Sequence, residues 1–202
     1  LKKDDNGFEG ENFKILGDLP WYPIVSISLM EVLREYLPEA CSGMNYWLKF
    51  VSKRDGTTIR ELLQQIRASY QTIVCIHASD NSIFGAMTST PWRHNEDWFG
   101  TSDAFLFRLI EGKMEVYPCT SHSKRVQYCS SQLIAVGGGG GEIDSSDIID
   151  MSSYEPQGIG LLIDGDLQGG ETNACATFAS PKLSATGIDP EFRIERLEVW
   201  TF

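Results

Sequence analysis

Four groups of residues in this chain have the types that chemistry needs. Cys75 and His77 stand two apart in "TIVCIHA", so in a strand their side chains share a face and would form a thiolate–imidazole pair. Cys119, His122 and Cys129 have the donor atoms of three zinc ligands. Asp164 and Asp166, in "IDGDLQGG", offer two carboxylates for acid–base work. Five glycines, Gly137 to Gly141, follow the apolar run "LIAV", where a phosphate-cradling loop would stand.

Spacing argues against each of these in turn. A Walker loop needs Gly-Lys-Ser/Thr after its first glycine and four further residues, yet no lysine follows Gly141 before Lys182; from Gly137 the third glycine of a dinucleotide loop falls on Glu142. The residues after the run are acidic and would repel a phosphate. The cysteine–histidine pair lacks a recognisable orienting group and oxyanion hole, so a small buried thiol and a core or rim histidine are the simpler reading. Cys119, His122 and Cys129 lack the two close pairs of a structural zinc site, and Asp164 and Asp166 read as solvated turn residues at the end of a strand. The segment 142–158 is acidic and without lysine or arginine, and Asp144, Ser146 and Ile148 break the calcium-loop pattern. No nucleotide, metal or other cofactor is expected, and no catalytic residue is assigned.

The net charge of −11 opposes binding to nucleic acid or anionic lipid and favours a neutral or basic protein surface as partner. Five widely spaced cysteines without a CxxC pair fit reduced thiols in a cytosolic compartment. No apolar stretch approaches the length of a membrane span, so direct membrane insertion is not expected.

The elements that must position these residues are legible in the periodicity. "SLMEVLREYLPEAC" predicts a short helix with Ser28 and Glu31 as a capping box, ended by Pro38, that turns Leu29, Val32, Leu33, Tyr36 and Leu37 to the core. "TTIRELLQQI" predicts a second, capped by Thr58 and Glu61, with Ile59, Leu62, Leu63 and Ile66 inward. From "TIVCIHA" onward the period is two, and "IFGAMTS", "AFLFRLI", "MEVYPC", "QLIAVGG", "IGLLIDGDL" and "FRIERLEVWTF" read as strands, as does the earlier "YWLKFVS". The fold class expected is α+β and mainly β: a sandwich of two antiparallel sheets with flanking helices. Residues 1–18 read as linker from a longer chain, and 19–202 as one domain.

"IFGAMTSTPWR", "WFGTSDAFLF", "LIAVGGGGG", "GLLIDGDLQGGETNACATFASPKLS" and "RIERLEVWTF", in that order, resemble the TLDc domain of the oxidation-resistance proteins, over nearly the whole chain from the first helix to Phe202. The matched positions are Gly85, Trp92, Arg93, Gly100, Gly137, Gly138, Gly139, Gly140, Asp164, Leu167, Cys175, Thr177, Phe178, Glu198 and Trp200. Several have a structural reading: glycine where the backbone bends or packs closely, Trp92 and Trp200 closing the sandwich edges, Cys175 and Phe178 anchoring the loop "ETNACATFASPKLS" to the core. The acidic segment 142–158 departs from the family pattern.

The resemblance implies a β-sandwich, no accepted active site, and two activities: resistance to oxidative stress, and binding to the vacuolar-type proton-pumping ATPase at its peripheral stalks and catalytic sector so as to regulate or disassemble it. The place implied is the cytoplasm, including the cytosolic face of vacuolar or endolysosomal membranes. Trp92, Arg93 and Trp98, in "PWRHNEDWFG", are candidate partner contacts, with burial of the tryptophans as the alternative. The competing function is a redox-active protein working through Cys119 and Cys129, beside His122, Lys124 and Arg125.

Overall fold

A computed structural model describes residues 3–4, 7–9, 13–19, 22–41, 43–120, 124–139, 158–185 and 189–202. The segment 142–157, with Gly140, Gly141 and His122, lies outside the described residues. Three short strands open the chain, β1 (Lys3–Asp4), β2 (Gly7–Glu9) and β3 (Lys14–Leu16), followed by helix α1 (Ile27–Arg34) and a 3-10 turn (Glu39–Cys41). Then come β4 (Tyr46–Val51), helix α2 (Ile59–Ile66), β5 (Thr72–Ala78), β6 (Ile83–Thr88), β7 (Phe105–Ile110) and β8 (Lys113–Pro118). The chain closes with β9 (Gln127–Cys129), β10 (Leu133–Val136), β11 (Leu161–Asp164), β12 (Gly169–Glu171) and β13 (Glu191–Thr201).

The protein is mainly β, a large and largely antiparallel sheet with two helices. Its hub is β13, long enough to pair on one side with β12 through Glu191–Arg193 and with β4 through Glu198–Thr201, and on the other side with β5. Two arms therefore meet on one strand: β5-β6-β7-β8, and β12-β11-β10-β9. The residues expected to be linker take part as well. Ile15 and Leu16 of β3 pair in parallel with Tyr46 and Trp47, and Phe13 and Ile15 are buried, so the folded body begins before Leu19. The lone apolar residues of "ENFKILG" carry no periodicity; pairing with β2 on one side and with the distant β4 on the other makes them a strand.

The strand β5 is buried along almost its whole length instead of alternating, because both faces are covered. Val74, Ile76 and Ala78 join a core with α2 and the β10–β11 arm, whereas Ile73 and Cys75 join a second core with Met30 and Leu33 of α1, Phe105, Phe107 and Trp200. Helix α2 starts as predicted: Thr58 Oγ1 accepts from Glu61 N–H at 3.3 Å and the Glu61 carboxylate accepts from Thr58 N–H at 3.1 Å. Ile59, Leu62 and Ile66 face the core.

Helix α1 differs from its prediction. Its cap is Ser26, whose Oγ accepts from Leu29 N–H at 3.4 Å, and its inward row is Met30 and Leu33, continued by Leu37, while Val32 and Tyr36 are exposed. Leu33 lies on both candidate rows, so periodicity alone does not choose between them; the docking of α1 beneath Trp200 does.

Candidate functional site

Of the signature residues, Gly137, Gly138, Gly139, Cys175, Thr177 and Phe178 converge on the corner where β10 ends. Gly137 turns at φ +81°; its N–H donates to Val126 O at 2.8 Å, and its carbonyl accepts from Gly160 N–H at 2.9 Å. A Cβ there would sit 2.8 Å from Cys175 Sγ and 2.9 Å from the Phe178 ring, closer than real contacts allow. At Gly138 it would meet Arg125 Cβ and the Trp98 indole, and the Gly139 carbonyl accepts from Thr177 Oγ1 at 3.3 Å. The glycines thus let one backbone lie against three other segments. Their role is close packing, and Cys175 and Phe178 are, as expected, core anchors of the loop that packs on them.

Other signature positions are structural in ways the sequence did not specify. At Gly85 a Cβ would stand 1.9 Å from Val74 O, so β5 and β6 pair only with hydrogen there. Gly100 faces the buried Gln127, whose Nε2 donates to Thr90 O at 3.2 Å and fastens the 90–100 loop. Leu167, in the turn after Asp164, adopts φ +54° yet is buried; its N–H donates to Asp164 O, and the neighbouring Gly165 O accepts from Ile59 N–H at the start of α2. The turn keeps Asp164 and Asp166 exposed, in keeping with its local chemistry, while Leu167 joins the core with Ile59 and Leu62 of α2.

The three candidate partner contacts separate. Trp92 is buried, donating Nε1–H to Thr72 Oγ1 at 2.9 Å and meeting Phe99 edge-on, so it is a core residue and not a contact. Trp98 is half-buried against Tyr128 and Gly138. Arg93 is exposed, with its guanidinium 5.5 Å over the Phe99 ring. Of the three, Arg93 is the one offered to solvent.

Glu198 is fully buried on β13. Its Oε2 accepts from Ile24 N–H at 3.0 Å and from Trp200 Nε1–H at 3.2 Å, and Arg196 Nε lies 3.3 Å from Oε1. Burial pushes its carboxyl above the usual range, against the lowering effect of Ile24 N–H, Arg196, Trp200 and Arg54.

The thiols and carboxylates show what chemistry is within reach. Burial pushes the Cys75 thiol well up, with Glu198 adding to the shift; the Cys119 thiol goes up through burial and then Cys175, and Cys129 rises to about 11. These shifts oppose the lowered value a reactive thiolate needs. Cys75 sits in the apolar core under α1, whereas His77 is half-buried. Among the described residues no three His, Cys, Asp or Glu are placed to hold a metal ion. Asp164 and Asp166 do face one space: an open cleft of about 710 Å³, also lined by Glu171, Glu191, Arg193 and Glu195. Burial and then Asp166 and Glu191 raise Asp164, and burial and then Glu191 and Asp164 raise Glu171. The sequence separates these carboxylates by about the length of a loop and a strand, and only the β11-β12-β13 pairing gathers them.

A family model for the TLDc domain matches residues 22–202, nearly the whole chain. The chain belongs to the TLDc family. Its relatives include oxidation resistance protein 1 of Rattus norvegicus and of Homo sapiens, each 27% identical over 174 residues that make up 86% of this chain. Nuclear receptor coactivator 7 of Gallus gallus is likewise 27% identical over 174 residues. The TLDc domain is a small part of those proteins, for the match covers 18% of each oxidation resistance protein and 17% of the coactivator.

Proposed function

We propose that this TLDc domain is a non-catalytic docking module that binds the vacuolar-type proton-pumping ATPase, at its peripheral stalks and catalytic sector, and regulates its activity or assembly. The observation that carries the reading is the cleft in which Asp164, Asp166, Glu171, Glu191 and Glu195 face one space on a chain of net charge −11. Such a surface complements a basic helix, and charge complementarity sets partner choice and association rate. Raised thiols favour docking over peroxide chemistry through Cys119 and Cys129. Kinship with oxidation-resistance proteins links the module to oxidative-stress resistance, and the partner would place it in the cytoplasm, at the cytosolic face of vacuolar or endolysosomal membranes.

We also read the two arms of the sheet as layers of a sandwich. In support, Val74, Ile76 and Phe84 share a core with Ile134, Val136, Leu161 and Ile163, and the Leu106 side chain lies 2.5 Å from where a Cβ on Gly160 would stand.

The test mixes the purified protein with intact pump and follows co-sedimentation and ATP hydrolysis. Binding at micromolar concentration is expected to weaken with salt and in the exposed variants Asp166→Lys and Glu191→Lys. Absence of binding at micromolar concentration overturns the proposal.

A further inference from the structure

Residues 22–41 carry α1 across the face of the sheet formed by Ile73, Cys75, Met87, Phe105, Phe107 and Trp200. They touch that face through Ile24, Val25, Met30, Leu33, Leu37 and Cys41, all buried. The segment crosses the sheet without joining it, and so is held by side chains and not by a strand ladder. Two of its backbone groups are taken by residues two apart on the hub strand: Arg196 donates to Tyr22 O at 2.9 Å, and Glu198 accepts from Ile24 N–H at 3.0 Å. A third tie is Tyr46 Oη–H donating to Met30 O at 3.1 Å. The helix is only eight residues long, with Val32 and Tyr36 turned to solvent, so it has little stability of its own.

We propose that residues 22–41 form a detachable cover over the β5–β13 face, clasped shut by Arg196 and Glu198, and that this cover opens as a unit while the rest of the fold stays closed. A short helix held outside the strand ladders, with one face in solvent, belongs to the low end of a protein's range of local stabilities. The β5–β8 arm, by contrast, is locked by antiparallel ladders between successive strands and by the β5–β13 ladder from Ile194 to Thr201, whose register shifts once between Ile194 and Arg196. Opening would bare the apolar face and the thiols that belong to it.

The free cysteines make the motion measurable. Cys41, on the inner side of the cover, and Cys75, on the sheet beneath it, share the core that the cover closes, whereas Cys129 and Cys175 lie in the other core. A pulse of N-ethylmaleimide, followed by peptide mass mapping, reads each thiol separately. With Arg196→Ala, which removes the Tyr22 tie and the cation beside Glu198, Cys41 and Cys75 should label about 10-fold faster or more, the size expected for losing a hydrogen bond to a charged group. Cys129 and Cys175 should keep their wild-type rates. Unchanged labelling of Cys41 and Cys75, or equal acceleration of all four thiols, overturns the cover. Hydrogen exchange on the wild-type protein checks it without a variant: amides of α1 should exchange at least about 10-fold faster than those of β5 and β6, and equal protection overturns it.

Discussion

Replacing Gly137 with alanine separates two costs that the structure predicts to add. The first is conformational, since at φ +81° an L-residue occupies the left-handed region at about 1–2 kcal/mol. The second is steric: the new Cβ would stand 2.8 Å from Cys175 Sγ and 2.9 Å from the Phe178 ring, both buried, and overpacking of this kind costs about 1–3 kcal/mol. Gly137→Ala should therefore destabilise by about 2–5 kcal/mol. Two substitutions calibrate it. Gly112 has a similar φ of +78° but open space around it, so Gly112→Ala should cost only the conformational part, about 1–2 kcal/mol. Gly43 is not in the left-handed region and has open space, so Gly43→Ala should fall within about 0.5 kcal/mol of wild type. Urea unfolding followed by tryptophan fluorescence reads all three as shifts in midpoint at constant slope. Equal losses for Gly137→Ala and Gly112→Ala would refute the assignment of the glycine run to close packing on the Cys175–Phe178 loop.

Three further outcomes follow from the same geometry. Ser26→Ala should cost about 1 kcal/mol and Ser28→Ala about 0.5 kcal/mol or less in the same unfolding assay, because Ser26 caps α1. The folded-state pKa of Glu198 is raised above its ordinary value of 4.5, so its contribution to stability is present in full below that value and is lost as pH rises through the folded pKa. The stability of wild type relative to Glu198→Gln should accordingly fall as pH rises from about 4.5, and a flat difference in thermal midpoints would contradict the shift. Peroxide consumption by the purified protein and by the Cys119→Ser, Cys129→Ser variant should be equal and negligible, since the raised thiols hold little thiolate at neutral pH; a rate lost in the variant would restore the redox reading.

Some of this was legible in the residues because it depends on neighbours in the chain. The capping box of α2 and the hairpins of β5 with β6 and of β7 with β8 both rest on spacing within a few positions. The rest depended on partners far away. Ile15 joins the main sheet beside Tyr46, Trp92 goes inside because Thr72 supplies an acceptor for its indole, and the acidic cleft exists only where β11, β12 and β13 come side by side.

The family signature and the hydrophobic pattern, read in order along the chain, therefore determined that this is a mainly β TLDc domain with two short amphipathic helices. Only the tertiary structure decided which row of α1 faces inward, that Leu167 is buried despite its left-handed backbone, and that both arms of the sheet meet on β13. The physical reason is the range of the interactions. Periodicity and turn chemistry act over a few residues, whereas burial and strand pairing are settled by whatever surface a distant segment brings into contact.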